Sequence, residues 1–308
     1  MEVKPERSIK MALTINTNLS SMIVQSNLAK ATTSLNKAIE RMTTGYKINH
    51  ASDNAAGYSI ARNWEAKLGS LDVAADNAAT GADMLSTLED HYALISSHVQ
   101  RVRDLTEQAA NGTYGTASLK AVHSEITARL EEIDRIAANC EFNGRNMMDA
   151  SLGDIAIQVG IDGTASKSQI TLKANLFESG AVADLFEDYG GITGASIAEV
   201  AKLCSGYNPA TGDRTTTSPA DQLAAIDNVI NEISSRVTTL GAAQNRIESA
   251  IESIGVQSEN ITSSLSTLRD ADVATESSNY IKAQILQQAS ATLLATANQT
   301  PSIALNLL

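Results

Sequence analysis

The chain has 308 residues and a formal net charge of −12, with 43% hydrophobic and only 4% aromatic residues. This length allows two or three domains, and the acidic balance argues against nucleic acid as the main partner, because phosphate contacts depend on clusters of Lys and Arg. With so few aromatic rings, the stability of the fold is expected to come mainly from aliphatic seams between helices.

The N-terminal segment predicts a helix after a charged start. Residues 1–10 carry mixed charges, and we interpret them as an extension or a misassigned start, with Met11 as the real beginning. No charged residue occurs from Met11 to Ala29. Apolar side chains at helical spacing predict a helix over residues 19–44, ended by Gly45, which suits a left-handed terminus. These apolar residues are Leu28, Leu35, Ile39 and Met42.

A second helix is predicted to be much longer. It follows a linker at residues 48–61, whose Asn, Ser, Asp and Gly residues favour turns and caps. The helix runs from about Ile60 or Trp64 to Ala110 and ends at Asn111-Gly112. Its apolar stripe alternates steps of four and three residues, with one additional three-residue step from Leu85 to Leu88. The stripe consists of Leu71, Ala75, Ala78, Ala82, Leu85, Leu88, Tyr92, Ile95, Val99 and Val102. A third helix is predicted over residues 118–139.

The helical period breaks between residues 142 and 208. Alternating apolar and polar residues in segments 154–160 and 168–172, around Asp162-Gly163, predict a β-hairpin. Residues 190–217 are rich in Gly, Thr, Ser and Pro, although 195–203 has the pattern of a short helix. We interpret residues 173–217 as a short variable surface insertion that the core helices do not require.

The longest apolar stripe lies in the second half of the chain. Ser218 as a cap, Pro219 at the first helical position and Asp221 in the first turn predict a helix start, and the helix runs to about Leu268. Its stripe consists of Leu223, Ile226, Ile230, Ile233, Val237, Leu240, Ile247, Ile251, Ile254, Ile261, Leu265 and Leu268, interrupted by Gln244 and Ser258. A seam this long and narrow requires a long partner helix. The stripe of the second helix supplies that partner.

The C-terminal segment follows a joint at residues 269–272. It carries no charge from Ala283 to Leu308, yet it is too polar to span a bilayer. It suits a helix that packs against other helices, with Ile285 and Leu293 at helical spacing. Because isolated helices of this kind are marginal in water, we expect both ends of the chain to be poorly ordered in the monomer and to gain helix when copies assemble.

No residue pattern indicates an enzyme, a cofactor or a metal site. The histidines are His50, His91, His98 and His123, and they form no H-E-x-x-H motif. A P-loop and a G-x-S-x-G elbow are also absent from the sequence. Cys140 and Cys204 lie outside any C-x-x-C pair, so they predict neither a disulfide framework nor a zinc site.

Several segments resemble the bacterial flagellin family in the correct order along the chain. MALTINTNLSSM from Met11, ASDNAAGYSIA, QRVRDLTEQAANGT, EITARLEEIDRIA and FNG are similar to the N-terminal half of the family. LGAAQNRIESAI, and later ILQQA, ANQTP and LNLL, resemble its C-terminal half. Residues 174–218 carry no such likeness.

The resemblance implies a mainly α fold, a long antiparallel helical bundle or coiled coil formed by both termini, with a small β-hairpin region in the middle. Residues 11–55 and 269–308 would form an inner coiled-coil core domain. Residues 56–172 and 218–268 would form an outer helical core domain. The self-assembly seams would use Leu28, Leu35, Ile39, Met42, Ile285 and Leu293.

The function implied by the resemblance is structural: self-assembly into the extracellular filament of the bacterial flagellum, for motility. Export would use the flagellar secretion system without a cleavable signal peptide. The implied partners are further copies of the chain, an export chaperone at the C-terminal segment, and hook-associated and cap proteins. Two alternatives share the scaffold, a hook–filament junction protein and a secreted adhesive or immune-modulating protein.

The resemblance also implies recognition by Toll-like receptor 5. The family positions match Arg101, Leu105 and Glu125, with Gln100 and Gln108 beside them. An Arg that makes a forked contact next to a Leu that fills a pocket is a suitable binding hot spot. The alternative is that Arg101 and Glu125 are solvated helix-face charges that contact neighbouring subunits.

Overall fold

The computed structural model describes residues 17–149, 151–186, 196–215 and 218–305, with side chains described up to residue 299. The interpretation of residues 1–10 and of Met11 as the real start lies outside the described residues.

Helices form most of the described chain. The first three are α1 (Leu19–Thr44), α2 (Ala55–Ala110) and α3 (Thr116–Ala138). Three short helices follow, α4 (Ala165–Ser168), α5 (Val182–Leu185) and α6 (Ile197–Ser205), and the chain continues with α7 (Pro219–Arg269) and α8 (Val273–Leu305). The predicted mainly α fold is therefore confirmed.

Helix ends lie where local capping chemistry places them. Gly45 closes α1 in the left-handed conformation, with φ of 75°, and its N–H donates to the Arg41 carbonyl. The second helix begins earlier than predicted, because the Asn54 side chain accepts from the Gly57 N–H at 3.0 Å. Such a bond satisfies one of the N–H groups that the first helical turn leaves free.

Strands occur as three antiparallel pairs in the described ranges. They are β1 (Glu141–Phe142) with β2 (Arg145–Asn146), β3 (Ile155–Gln158) with β4 (Gln169–Leu172), and β5 (Tyr207–Asn208) with β6 (Asp213–Arg214). The β3–β4 pair places Ile157 opposite Ile170 and confirms the predicted hairpin. Its connection contains α4, so the turn is wider than Asp162-Gly163 alone would form.

Two compact units divide the chain. Of the described residues, those up to 66 and from 261 onward form the first unit, and those between 67 and 260 form the second. The helices α2 and α7 therefore contribute residues to both units.

The second unit contains a continuous core built on the predicted stripes. Fully buried aliphatic side chains recur along α7 at steps of seven residues, namely Ile226, Ile233, Leu240, Ile247 and, at 4% exposure, Ile254. The stripe of α2 is buried too, with Leu85, Leu88, Tyr92, Ile95, Val99 and Val102 at 0% exposure. Gln244, which interrupts the α7 stripe, donates to the Glu89 carboxylate at 2.8 Å.

Residues 173–215 differ from the predicted surface insertion. The side chains of this segment that belong to the same core are Leu176, Phe177, Val182, Leu185, Phe186, Val200, Ala201, Cys204 and Tyr207. The expectation that the core helices do not require the segment is therefore wrong for its described part. Two of the three phenylalanines in the chain lie here, so the segment supplies aromatic volume that the aliphatic stripes lack.

Polar contacts fix this segment to the helices. The partly buried Arg236 guanidinium of α7 donates to the Ser179 carbonyl at 2.9 Å and pairs with the Glu178 carboxylate at 2.9 Å. The Tyr92 hydroxyl of α2 donates to the Glu178 carbonyl at 3.0 Å. These bonds give the backbone carbonyls of Glu178 and Ser179 hydrogen-bond partners where the segment contacts α2 and α7.

The hairpin packs on a small-residue face of α2. A Cβ atom at Gly81 would collide with the end of the Ile157 side chain, so the absence of a side chain there lets the hairpin approach the helix closely. Ile157 is buried at this contact.

Candidate assembly surface on the terminal helices

The first unit is built on the antiparallel packing of α1 and α8. Apart from Glu276, the side chains buried at this contact are small: Ala31 and Ala38 from α1, and Ala283 and Ser290 from α8. Hydrogen bonds join the two helices, from the Asn18 amide to the Ala297 carbonyl at 2.8 Å and from the Gln287 amide to the Thr32 hydroxyl at 3.2 Å. Small residues allow close approach but bury little apolar area per residue.

An ion pair closes the other end of this contact. The Arg41 guanidinium of α1 lies 3.2 Å from the Glu276 carboxylate of α8, and Glu276 is only 7% exposed. Near this end the linker after α1 meets the joint between α7 and α8. There the Lys47 N–H donates to the Arg269 carbonyl at 2.7 Å, and the Ala271 N–H donates to the Gly45 carbonyl at 2.8 Å.

Arg269 is the centre of that joint. Its guanidinium lies 4.0 Å from the centroid of the Tyr46 ring and pairs with the Glu65 carboxylate. A cation over an aromatic face gains electrostatic attraction that grows as water is excluded, and the Arg269 side chain is only 14% exposed. Residues 269–272 thus break the helix where the sequence predicts a joint.

The predicted assembly residues fall into two groups. Leu28 and Leu35 are half-buried on the α1 side that carries Ala31 and Ala38. The other four are exposed, Ile39 at 44%, Met42 at 39%, Ile285 at 59% and Leu293 at 57%, although Leu293 also borders the groove between α1 and α8. One apolar pattern therefore contains two surfaces, one used within the chain and one left open.

Further exposed aliphatic side chains extend the open surface. They are Leu19, Met22 and Ile23 on α1, and Val273, Ile281 and Leu286 on α8. The spacing argument missed Leu19, Met22, Ile23, Val273 and Leu286. The absence of charge in the same segment is a signal for all of them except Val273. We call these residues, with Ile39, Met42, Ile285 and Leu293, the outward apolar set. A concentration of large aliphatic side chains on two neighbouring helices is typical of an interaction surface.

The residues matched to the receptor patch do not all lie on the surface. The Arg101 guanidinium makes two bonds to one Glu125 oxygen, at 2.8 and 3.0 Å, and both side chains are partly exposed. Gln100 is exposed, and the exposed Gln108 amide donates to the Tyr114 hydroxyl at 2.8 Å. Leu105 is 1% exposed and belongs to the core. The expectation that Leu105 fills a receptor pocket is therefore wrong, because its side chain is already packed inside the unit.

The two cysteines are buried and unpaired. Burial raises the pKa of the Cys140 thiol to about 11 and that of Cys204 to about 12, so both thiols stay protonated at neutral pH. In the ranges that the structure describes, no three His, Cys, Asp or Glu side chains come together as a possible metal site. Nor does any described helix combine the length and apolar character needed to cross a membrane.

Comparison with known proteins agrees with this architecture. Residues 15–152 match the bacterial flagellin N-terminal helical region and residues 223–308 match the bacterial flagellin C-terminal helical region. A flagellin of Xenorhabdus nematophila is 34% identical, and the alignment covers 97% of this chain and 100% of that relative. A flagellin of Bacillus subtilis is 32% identical, and the alignment covers 96% of this chain and 99% of that relative. Among solved structures, a protein of Vibrio parahaemolyticus assigned as flagellar hook-associated aligns with a TM-score of 0.57 at 13% sequence identity. The alignment covers 71% of this chain and 100% of that protein, and at this identity the likeness concerns the fold alone. Two family matches that together span most of the chain, and relatives aligned over nearly its whole length, show that this protein belongs to the bacterial flagellins, a family of structural proteins of the flagellar filament.

Proposed function

We propose that copies of this chain assemble into a flagellar filament through the outward apolar set of α1 and α8. The observation that supports this function is the exposure of large aliphatic side chains on both terminal helices, at 39–62%. Water contact with these side chains is unfavourable. Complete burial of a fully exposed side chain of this size is worth about 1.5–3 kcal/mol, and burial of the exposed part of each gains a share of that. A surface used head to tail between identical copies produces an open fibre when the rotation does not close.

The test replaces Ile285 and Leu293 with Gln. The expected result is loss of filaments by electron microscopy after purified protein is seeded with filament fragments, while helicity of the monomer stays unchanged. A matched control is Leu94→Gln, because Leu94 is 52% exposed but lies on α2 in the second unit. Normal filaments from the double variant, or equal loss in the control, would contradict the proposal.

Assembly is also proposed to order the two ends. The α1–α8 contact buries mainly Ala and Ser side chains, so its stability in a single copy is small. Amide exchange in α1 and α8 is expected to be fast in dilute monomer and slow in filaments, whereas the core of α7 is protected in both. Strong protection of both terminal helices in dilute monomer would refute this coupling.

Export through the flagellar secretion system, with a chaperone holding the C-terminal segment, belongs to the same proposal. The exposed Ile281, Ile285 and Leu293 of α8 would invite premature polymerisation inside the cell unless a partner covered them. Hook-associated and cap proteins would contact the same terminal helices at the ends of the filament. The final location is outside the cell, and no membrane insertion or nucleic-acid partner is proposed.

Recognition by Toll-like receptor 5 is a second proposed function, supported by the solvent access of Arg101 and Glu125. Their mutual pairing orients the guanidinium at the surface of α2 and α3. Arg101→Ala with Glu125→Ala is expected to weaken binding to the receptor ectodomain, with Lys120→Ala, exposed on α3, as the control. Unchanged affinity in the double variant would remove this function without affecting filament assembly.

A hook–filament junction role is the nearest alternative, and the hook-associated neighbour shares only the fold with this chain. Growth of long filaments from purified protein alone would favour the filament subunit. Short assemblies that stop at a junction would favour the alternative. A secreted adhesive or immune-modulating protein on the same scaffold would form no fibre at all.

A further inference from the structure

The linker after α1 and the joint after α7 pair as a short antiparallel ladder. Tyr46 lies directly opposite Asp270, and one backbone hydrogen bond lies on each side of this pair, at 2.7 and 2.8 Å. A shift of either segment by one residue would break both bonds, so the ladder fixes the register of the two segments. We call residues 45–47 and 269–271 the paired joint.

Arg269 ties the paired joint to a third segment. Its guanidinium lies over the Tyr46 ring of the linker and pairs with the Glu65 carboxylate of α2. Its Nε is buried and has no hydrogen-bond partner in the described part of the chain, so Tyr46 and Glu65 offset most of the cost of burying the cation. The paired joint therefore depends on a side chain whose two partners lie far away along the chain.

The register of the paired joint continues along the terminal helices. Asn18 lies as many residues before Tyr46, to within about one, as Ala297 lies after Asp270, and the Asn18 amide donates to the Ala297 carbonyl. The ion pair between α1 and α8 next to the joint satisfies the same count. The hydrogen bond midway along the helices deviates by about three residues, which is less than one helical turn. A closed joint thus presents α1 and α8 to each other in the register of their contact.

Burial at the helix contact decreases with distance from the joint. Ala38 and Ala283, which lie near the joint, are 3% and 4% exposed. Ala31 and Ser290, about two turns further out, are 7% and 9% exposed. No residue is buried in the outer segments 17–30 and 291–299. Because the outer turns bury less area, opening them costs less free energy than opening the turns next to the joint.

We propose that the paired joint is the fixed end of a zipper and that Arg269 is a positioning residue for assembly. In a single copy the joint keeps the nearest turns of α1 and α8 together, while their outer turns open and close. Contacts with further copies then order the helices outward from the joint. Closing one end in advance lowers the entropic cost of bringing together segments from opposite ends of the chain. This inference rests on the proposed ordering of the ends by assembly and names the point from which order spreads.

Amide exchange of the dilute monomer tests the direction of ordering. In the unmodified chain, exchange in residues 38–44 and 273–283 is expected to be about ten-fold slower than in residues 19–30 and 291–299. Arg269→Ala is expected to remove this difference and to leave the core of α7 protected. The same variant is expected to raise the critical concentration for seeded polymerisation about ten-fold, because each incoming copy must then align its own helices.

Arg62→Ala is the matched control. Arg62 pairs with the same Glu65 carboxylate at 3.0 Å, and its guanidinium lies 5.3 Å from the centroid of the Tyr58 ring. Both partners belong to α2, so Arg62 ties no distant segments together, and its replacement is expected to change neither exchange nor polymerisation. A uniform exchange rate along both terminal helices of the unmodified chain, or an equal effect of the two replacements, would overturn the proposal.

A covalent tie tests whether Arg269 acts by holding the joint closed. Opposite residues in this kind of antiparallel pair have Cα atoms about 4.5 Å apart, within the range of a disulfide. Tyr46→Cys and Asp270→Cys are therefore added to Arg269→Ala, while the native thiols of Cys140 and Cys204 are buried. The reduced triple variant is expected to behave like Arg269→Ala. The oxidised form is expected to regain the exchange difference and the critical concentration of the unmodified chain.

The outcomes separate this inference from the proposed function. A disulfide that forms without restoring these two properties, or no disulfide at all, would overturn the role of the joint. Filament assembly would still stand if the unmodified chain polymerises. If the unmodified chain forms no filament, the proposed function fails, and the positioning role of Arg269 in assembly fails with it.

Discussion

The two units of this flagellin use long helices in different ways. In the second unit, α2, α3 and α7 bury rows of large aliphatic side chains, and the middle segment adds Phe177 and Phe186. In the first unit, α1 and α8 meet through Ala31, Ala38, Ala283 and Ser290, and most of their large aliphatic side chains are exposed. The second unit therefore has a core of its own, whereas the described large apolar side chains of the terminal helices remain mostly exposed.

This difference teaches that the same apolar period has opposite consequences in the two units. Where a partner stripe exists within the chain, as for α2 and α7, the period becomes a buried core. Where the partner offers mainly small residues, the large side chains stay exposed and favour association between copies. Mutations should therefore affect stability in the second unit and assembly in the first.

The largest expected effect on stability is that of Phe177→Ala. Phe177 is 0% exposed, so its truncation leaves a cavity and is expected to lower the free energy of unfolding by about 3–5 kcal/mol. Ile285→Ala, on the exposed face of α8, is expected to change it by less than about 0.5 kcal/mol. Urea denaturation of the monomer measures both. Similar losses of unfolding free energy for Phe177→Ala and Ile285→Ala would contradict this difference between the two units.

Leu105→Ala and Arg101→Ala separate packing from surface contacts within one helix. Leu105→Ala is expected to cost about 2–5 kcal/mol because the side chain is in the core. Arg101→Ala is expected to cost at most about 1 kcal/mol, since its pair with Glu125 is solvent-exposed. Thermal unfolding of each variant checks the order. A neutral Leu105→Ala would show that its burial contributes little.

Gly45→Ala tests the terminus of α1 in the first unit. Gly45 has φ of 75°, which an alanine adopts only with strain, so a loss of about 1 kcal/mol in local stability is expected. Amide exchange near the end of α1 should report it. Gly69→Ala is the control, because Gly69 has ordinary helical geometry and no atom within 4 Å of an added Cβ. Replacement there is expected to be neutral or stabilising.

The smallest expected effect concerns pH. Burial, and to a lesser degree the charge of Arg129, lowers the pKa of His98, while Glu132 acts in the opposite direction. The unfolded chain then takes up the His98 proton at a higher pH than the folded unit. Stability is therefore expected to fall as pH drops through the ordinary histidine value of about 6.5, and the loss ends below the lowered folded pKa. His98→Gln should flatten this part of the stability profile of the second unit.

Much of the fold follows from local sequence signals. Gly45 ends α1, Ser218 and Pro219 start α7, and residues 269–272 separate α7 from α8, because caps and breakers act within a few residues. The buried stripes of α2 and α7 were predictable for a similar reason, since their period is a property of each helix alone. The alternation in β3 and β4 predicted the two strands, but not the helix α4 in their connection.

The sequence by itself determined the helices, their apolar faces and the uncharged ends of the chain, because these depend on neighbours along the backbone. For the terminal helices, the middle segment and Leu105, only the tertiary structure decided which side chains are covered. It buried Leu105 one helical turn after the exposed Arg101, drew Phe177 and Phe186 into the core, and left Ile285 and Leu293 partly exposed. The physical reason is that coverage depends on the size of side chains brought together from distant parts of the chain, and helical spacing carries no information about that partner.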